Sequence, residues 1–157
     1  MSEYQIAQIN IAKARDTLDS EVMRGFVERL DEINALADNS PGFVWRLQTA
    51  DGDATGIQAF EDPNIIVNMS VWEDISDLQN FVYKSNHIEL IRDRSAWFDK
   101  ISEVHQALWW LEKGHIPNVE EGKQRLQHLQ QHGPSETAFT FAKKMARPSA
   151  PSPDLLL

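Results

Sequence analysis

Aromatic, histidine and arginine side chains are concentrated in one short stretch of this sequence, residues 83–117. The members are Tyr83, His87, Arg92, Arg94, Trp97, Phe98, His105, Trp109, Trp110 and His115. Three of the five tryptophans and three of the five histidines of the chain are among them. Pockets for small molecules are built from flat apolar surfaces with a few well-placed polar groups. The stretch is therefore the best place in the sequence to look for a binding or catalytic site.

His87 and Arg94 are the two residues of this stretch best suited to chemistry. The pattern predicts a helix over residues 86–98, and a spacing of seven places both side chains on one of its faces. The histidine could act as a general base, a proton shuttle or an axial ligand to haem iron. The arginine could hold a ligand carboxylate, including a haem propionate. A structural role is also open, with His87 bonded to the backbone and Arg94 paired with Asp93 or Asp99.

We predict that a further set of residues lines the same ligand pocket. They are Trp45, Asn68, Ser70, Trp72, Trp97, Trp110 and His115. The two-residue alternation over 65–73 places the two small polar members on the same side of a strand as Trp72, which favours a cavity or a partner on that side. Trp109 and Trp110 are adjacent on a strand and must point to opposite faces, so only one of them can line the pocket. Core packing is the alternative role for each tryptophan.

The sequence holds no motif that dictates a metal-dependent or nucleotide-dependent reaction. It has no cysteine, which excludes disulfides and cysteine-based metal sites. His128 and His132 are four residues apart on a predicted helix, but Leu129 stands where a metalloprotease helix has glutamate, so we interpret the pair as solvated. Glycine-rich phosphate loops and a Gly-x-Ser-x-Gly elbow are absent. We predict no metal site.

Length and charge limit the class of protein. The 157 residues fit one domain, which we place at 1–145, followed by a Pro/Ser-rich tail at 146–157 that we predict to be disordered. The net charge of −9 argues against binding to nucleic acid or to an anionic membrane. No apolar run reaches the roughly 20 residues of a membrane span, and no secretory signal is recognised. We expect a cytoplasmic protein.

Hydrophobic periodicity divides the chain into alternating strands and helices. The predicted strands are Tyr4–Ala12, Phe43–Leu47, Ile65–Glu73, His105–Lys113 and Ala138–Ala142. The predicted helices begin near Leu18, Ser76, Asn86 and Asn118, and the first and last end near Ala37 and His132. The first six elements match the ferredoxin-like β-α-β-β-α-β plan of an α+β protein, an antiparallel sheet with helices on one face. A C-terminal α-β extension follows.

The ferredoxin-like plan leaves the second face of the sheet uncovered. We expect that face to hold side chains such as Trp45 or Trp72, which are too apolar to remain in water. Burial against the same face of a second copy would solve this problem and would create a cavity between or beside the two sheets. The sequence therefore predicts a homodimer.

Several ordered motifs resemble an uncharacterised family of bacterial domains. They are Tyr83-Lys84-Ser85-Asn86-His87, Arg92 to Phe98, Leu108-Trp109-Trp110, Gly114 to Pro117, Glu121, Arg125-Leu126, His132-Gly133-Pro134 and Ala138 to Phe141. The family is a domain of unknown function in the dimeric α+β-barrel superfamily, alongside antibiotic-biosynthesis mono-oxygenase-like domains. The resemblance covers all but the Pro/Ser-rich tail and implies a dimeric α+β barrel. Superfamily relatives include cofactor-independent mono-oxygenases, haem-degrading enzymes, other haem proteins and domains without known activity, so the resemblance transfers no catalytic residue.

These observations lead to one functional hypothesis and one alternative. The hypothesis is a homodimeric domain that binds a small apolar or aromatic molecule and oxidises it in a mono-oxygenase-like reaction, either without a cofactor or with haem. His87 would accept a proton or bind iron, and Arg94 would orient an anionic group. The alternative is a non-enzymatic ligand-binding or protein-interaction domain, in which the aromatic side chains form the core and the dimer interface.

Overall fold

Strands and helices alternate along the chain. The computed structural model describes residues 3–48, 60–84, 96–101 and 103–148. The strands are β1 (Tyr4–Ala14), β2 (Phe43–Arg46), β3 (Ile65–Trp72), β4 (Phe98–Asp99) and β5 (Gln106–Glu112). The helices are α1 (Arg24–Asp38), α2 (Ile75–Lys84) and α3 (Val119–His132).

The strands form one antiparallel sheet with β1 at its centre. β1 pairs with β3 on one side and with β5 on the other, and β2 pairs with the outer edge of β3. The two-residue β4 pairs only with the end of β1, at Lys13 and Ala14. The order β2-β3-β1-β5, with α1 and α2 as the connections, confirms the predicted ferredoxin-like α+β fold.

Three element boundaries differ from the sequence prediction. α1 begins at Arg24 instead of Leu18, because the preceding residues form a turn in which the Asp16 carboxylate accepts the backbone N–H of Thr17. The helix predicted to reach Phe98 does not, since Phe98 pairs with β1 in the short β4; most of that predicted helix lies outside the described residues. The predicted last strand is reduced to one bridge, between Phe139 and Leu108.

Different helices cover the two faces of the sheet. α1 and α2 lie over the face that carries Ile6, Trp72 and Leu108, which we call the helix-pair face. α3 packs on the opposite face, against Ile9 and Trp109, and we call this the α3 face. The sequence predicted that the second face is uncovered, whereas the extension returns to cover part of it. Trp72 was expected there but lies under the helix pair.

Local sequence features explain the position of α3. The Asn118 side chain accepts the backbone N–H of Glu121 at 2.8 Å, which confirms the N-cap of the predicted capping box, whereas the Glu121 carboxylate contacts His115 and Trp109 instead of the Asn118 backbone. Leu126 and Leu129 then form its buried stripe. A Cβ on Gly122 would lie 2.9 Å from the Met69 sulfur, so a glycine at this position allows the helix to approach the sheet closely.

Candidate functional site

A row of polar side chains crosses the middle of the helix-pair face. Gln8 of β1 is aligned with Ser70 of β3, and Asn10 is aligned with Asn68. All four point to the same side of the sheet as Ile6 and Trp72, because side chains alternate along a strand. We call Gln8, Asn10, Asn68 and Ser70 the polar band. It separates two apolar clusters on a face that could otherwise form one continuous core.

Hydrogen bonds within the polar band leave donors unused. The Gln8 Nε2 donates to Asn68 Oδ1 at 2.6 Å and to Ser70 Oγ at 2.9 Å, and the Trp72 indole N–H also donates to Ser70 Oγ at 2.9 Å. The hydroxyl of Ser70 thus accepts two bonds, which fills its lone pairs and leaves its O–H to donate. Within the described residues, neither that O–H nor the Asn68 amide N–H₂ donates to a protein group.

The polar band is buried at one end and open at the other. Gln8 and Ser70 are 4% and 8% exposed. Asn10 is half-buried, and Asn68 is exposed although β3 is an inner strand of the sheet. Asn68 is therefore the member of the polar band that solvent reaches most readily.

Aromatic side chains lie at both ends of the polar band. At the Ser70 end, Trp72 packs edge-on against Phe43 and stacks on Phe81, with ring centroids 5.4 and 5.2 Å away. At the Asn68 end, the ring centroids of Trp97 and Phe26 lie 6.0 Å apart. Both rings belong to an apolar cluster that also contains Ile66 of β3. These rings place apolar surface at both ends of the polar band, and Trp72 and Trp97 are themselves buried.

An ion pair lies beside the polar band at the β2 edge. Arg46 is aligned with Ser70 on β3, and its guanidinium donates to both carboxylate oxygens of Asp38, at 2.8 and 3.2 Å. The Arg46 side chain is 11% exposed. A two-point pair of this kind fixes both side chains and joins the end of α1 to β2.

The structure brings some of the predicted pocket residues together and separates others. Asn68, Ser70 and Trp72 are adjacent on the helix-pair face, and Trp97 lies at the far end of the same face. Trp45 is on the α3 face, where it is half-buried and aligned with Val71. His87 and Arg94, the residues predicted to do the chemistry, lie outside the described residues, and their roles stay predictions.

Trp110 and His115 lie at the β5 edge, away from the polar band. The Trp110 indole donates to the Met145 carbonyl at 2.9 Å, and the Arg147 guanidinium covers its ring at 5.0 Å. His115 contacts Glu121 of α3 through Nε2 at 2.7 Å. Trp109 is fully buried on the α3 face, so the two adjacent tryptophans do point to opposite sides.

Gln8 is the member of the site that the sequence reasoning missed. Gln8 and Asn10 alternate with Ala7 and Ile9 in the two-residue period of a half-buried strand, and that period alone does not show what lies over the polar side. The signal that could have found it is topological, because β1 is the central strand of a ferredoxin-like sheet and has helices above the face that carries Gln8.

The described residues do not supply an iron ligand near the polar band. Their histidines are His105, His115, His128 and His132, which lie before β5, after β5 or on α3. No group of three or more histidine, aspartate or glutamate side chains in the described part of the chain could hold a metal ion. The predicted use of haem therefore depends on His87. In the same ranges, no helix is long and apolar enough to cross a bilayer.

Comparison with solved structures finds proteins similar to most of the chain at low sequence identity. A protein of unknown function from Nitrosomonas europaea is 10% identical over 75% of this chain and 97% of its own, with a TM-score of 0.48. SnoaB, a cofactor-independent oxygenase from Streptomyces nogalater, is 15% identical over 73% and 98%, with a TM-score of 0.47. A Dabb family protein with a ferredoxin-like fold from Mesorhizobium loti is 10% identical over 73% and 98%, with a TM-score of 0.41.

Comparison by sequence identifies the family. No curated protein matches the chain. One family model matches residues 5–154, and this match extends from the second residue of β1 to the tail beyond α3. The chain therefore belongs to the family described as domain of unknown function DUF3291.

Proposed function

We propose that this protein binds a small, flat aromatic molecule on the helix-pair face, with an oxygen acceptor of the ligand directed at the polar band. The observation that carries the proposal is the hydrogen-bond state of Ser70, whose oxygen already accepts from Gln8 and Trp72. Its hydroxyl can therefore only donate, and the Asn68 amide beside it can donate as well. A carbonyl, phenol or phenolate oxygen is the ligand group that these donors fit.

The energetic cost of the polar band supports a binding role. Gln8 and Ser70 occupy buried positions between two apolar clusters, where apolar side chains would contribute more to stability. The bonds between them only offset the loss of contact with water. A ligand oxygen that accepts from the unused donors of Ser70 and Asn68 would explain why polar side chains occupy these positions.

A mono-oxygenase-like reaction is the activity that we propose for the bound molecule. Donors fixed around a ligand oxygen stabilise the negative charge that develops when a neighbouring carbon loses a proton. In an anthrone-type substrate that carbon loses two hydrogens and gains one atom of O₂, and the second oxygen atom leaves as water. The substrate itself supplies the electrons, and His87 is the base predicted from the sequence.

Titration of the protein with 1,8-dihydroxy-9-anthrone tests binding, with tryptophan fluorescence as the readout. Asn68→Leu should weaken binding about tenfold, as expected for the loss of one hydrogen bond to a charged or strongly polar oxygen. Asn80→Leu makes the same change at an exposed position on α2 and should alter the affinity less than twofold. Equal affinities for the two variants would contradict the proposal.

Oxygen uptake separates the enzyme from its non-enzymatic alternative. With the anthrone bound, an oxygen electrode should record consumption that His87→Ala abolishes while binding persists. Binding without any consumption would favour a ligand-binding domain. Addition of hemin provides the test of the haem alternative, since a sharp Soret band that is lost in His87→Ala would assign iron coordination to that residue.

A homodimer is the assembly that we propose, as the sequence predicted. The β2 end of the α3 face supports it, because Val44, Trp45 and Leu47 remain only half-buried there. Sedimentation equilibrium should give twice the chain mass, and Trp45→Glu should shift the protein to the monomer. A wild-type monomer would overturn the dimer and would leave the binding proposal standing.

A further inference from the structure

An open groove lies between the end of β5 and the exposed side of α3, apart from the polar band. It encloses about 640 Å³, within the range of small-molecule pockets. Its lining includes Tyr4, Trp110, His115 and a row of α3 side chains. We call it the β5–α3 groove.

The α3 side chains in this groove do not form the ion pair that their spacing favours. Glu121 and Arg125 are four residues apart, the separation at which glutamate and arginine usually pair on a helix. Here Glu121 Oε1 contacts His115 Nε2 at 2.7 Å, and Glu121 Oε2 accepts the indole N–H of Trp109 at 3.1 Å. Both oxygens of the carboxylate thus contact residues other than Arg125.

Arg125 is consequently left without an acidic partner among the described residues. Its side chain is half-buried, and its Nη1 donates to the Thr137 carbonyl at 2.8 Å. A guanidinium has five N–H donors, so most of them are available in the groove. In a chain with 24 acidic and 15 basic residues, a half-buried arginine without a carboxylate partner is unusual, and its remaining donors match the geometry of an anion.

His128 lies beside Arg125 in the same wall of the groove. It follows Arg125 by three residues, which places the two side chains on one face of α3. Its Nδ1 is buried and has no hydrogen-bond partner, and its ring packs against His132 with centroids 4.5 Å apart. The His128 ring lines the groove, but its Nδ1 is closed to solvent, so this atom does not itself face a ligand there.

We propose that the β5–α3 groove binds a small aromatic carboxylate. The carboxylate would pair with the N–H donors of Arg125, beside the His128 ring, and its own ring would pack against the half-buried rings of Trp110 and Tyr4. Two protein carboxylates also line the groove and must be considered. Glu121 is held by His115 and Trp109, and Glu112 is exposed, where solvent screens its charge. Neither carboxylate should therefore repel a bound anion strongly, because Glu121 is already paired and solvent screens Glu112.

Titration with 1-naphthoate, 1-naphthamide and acetate tests the proposal on the unmodified chain. Imidazole ¹⁵N signals report on His128 directly. Naphthoate should bind saturably and shift the His128 Nδ1 signal, naphthamide should bind at least about tenfold more weakly because it lacks the charge, and acetate should bind more weakly because it lacks the ring. Equal affinity for naphthoate and naphthamide, or no saturable shift, would overturn the proposal without any variant.

Variants then locate the binding site. Arg125→Gln should weaken naphthoate binding about tenfold or more, whereas Arg24→Gln should change it less than twofold. Arg24 is the matched control because it is exposed on α1 and pairs with Glu28. Asn68→Leu removes a donor of the polar band, and it should leave the naphthoate-dependent shift of the His128 signal in the groove unchanged. A loss of affinity in Asn68→Leu but not in Arg125→Gln would overturn the proposal that naphthoate binds in the β5–α3 groove and would place it at the polar band.

Discussion

The two faces of the sheet differ in composition although the same strands build both. On the α3 face, Ile9, Met69 and Trp109 are at most 1% exposed, and the buried polar side chain described there, Gln5, lies at the end of β1, where it donates to Glu73. On the helix-pair face, Gln8 and Ser70 are nearly as deeply buried, yet their contacts are hydrogen bonds. One strand, β1, carries both patterns on alternate residues.

On the proposal made above, the α3 face contributes most of the stability and the helix-pair face holds the ligand. Apolar burial contributes about 25 cal/mol for each Å² removed from water. A buried hydrogen bond contributes only about 0.5–1.5 kcal/mol after its loss of solvation. Substitutions on the α3 face should therefore lower the stability of the protein strongly. Substitutions in the polar band should change stability little but should weaken ligand binding.

Leu126→Ala on the α3 face should have the largest effect on stability. Leu126 is 2% exposed and packs in the apolar cluster beneath α3. Removal of a buried leucine side chain leaves a cavity and lowers the free energy of unfolding by about 2–5 kcal/mol. Urea denaturation measures the change, and Gln127→Ala, exposed on the same helix, should cost less than about 0.5 kcal/mol. Similar losses for both variants would contradict a tightly packed α3 face.

Gly122→Val should have the second-largest effect, because it adds volume where Leu126→Ala removes it. The Cβ would meet the Met69 sulfur at 2.9 Å and Ile9 Cδ1 at 3.0 Å, so α3 or the sheet must move. Overpacking of this kind costs about 1–3 kcal/mol. Gln127→Val introduces the same β-branched residue on the exposed side of α3 and controls for helix propensity. If the two valine variants unfold at the same urea concentration, α3 does not lie this close to the sheet.

Gln8→Leu should change stability by no more than about 1 kcal/mol, in either direction. The substitution keeps a buried side chain of similar length, and Ser70 still accepts from Trp72 while Asn68 remains accessible to water. The same variant should weaken binding of the anthrone, because Ser70 and Asn68 lose the group that fixes them. A loss of more than about 3 kcal/mol in urea denaturation would mean that the polar band is a structural network and not a site.

The sequence predicts the strands of this sheet better than it predicts what covers them. Period-two alternation placed Asn68, Ser70 and Trp72 together, and the structure confirms that they share a face. The same alternation in β1 did not identify Gln8 as buried. The polar side of a strand shows the same alternation whether it faces water or lies under helices. The sequence of the strand alone therefore does not predict whether that side is buried.

The position of α3 illustrates the same limit for helices. Its capping residue and apolar stripe were predictable, because both depend on residues within a few positions of each other. The face on which it packs depends on contacts with β1 and β3, over 50 residues away in the sequence. Likewise, the contact between His115 and Glu121 joins a loop to a helix, and no periodic pattern predicts it.

The smallest effect that we predict is a dependence of stability on pH at the β5 edge of the helix-pair face. Arg147 contacts Asp74 at 2.5 Å and also covers Trp110, so this pair holds the C-terminal segment over that edge. Burial raises the pKa of Asp74, but hydrogen bonds from Ser76 and the backbone and the charge of Arg147 outweigh it. The pKa of Asp74 therefore lies below its ordinary value of 3.8.

The sign of the effect follows from that lowered pKa. A carboxyl whose pKa is lower in the folded protein stabilises it above the unfolded value of 3.8, and this contribution is lost as the pH falls through the folded pKa. Asp74→Asn should thus lower the free energy of unfolding near neutral pH, and its difference from the wild type should shrink below about pH 4. Because the Asp74 side chain is 47% exposed, the difference should stay below about 1 kcal/mol. Asp31→Asn, exposed on α1, controls for the loss of one negative charge. A difference that grows toward acid pH would mean that Arg147 does not hold Asp74 ionised, and the edge over Trp110 would then be closed by apolar packing alone.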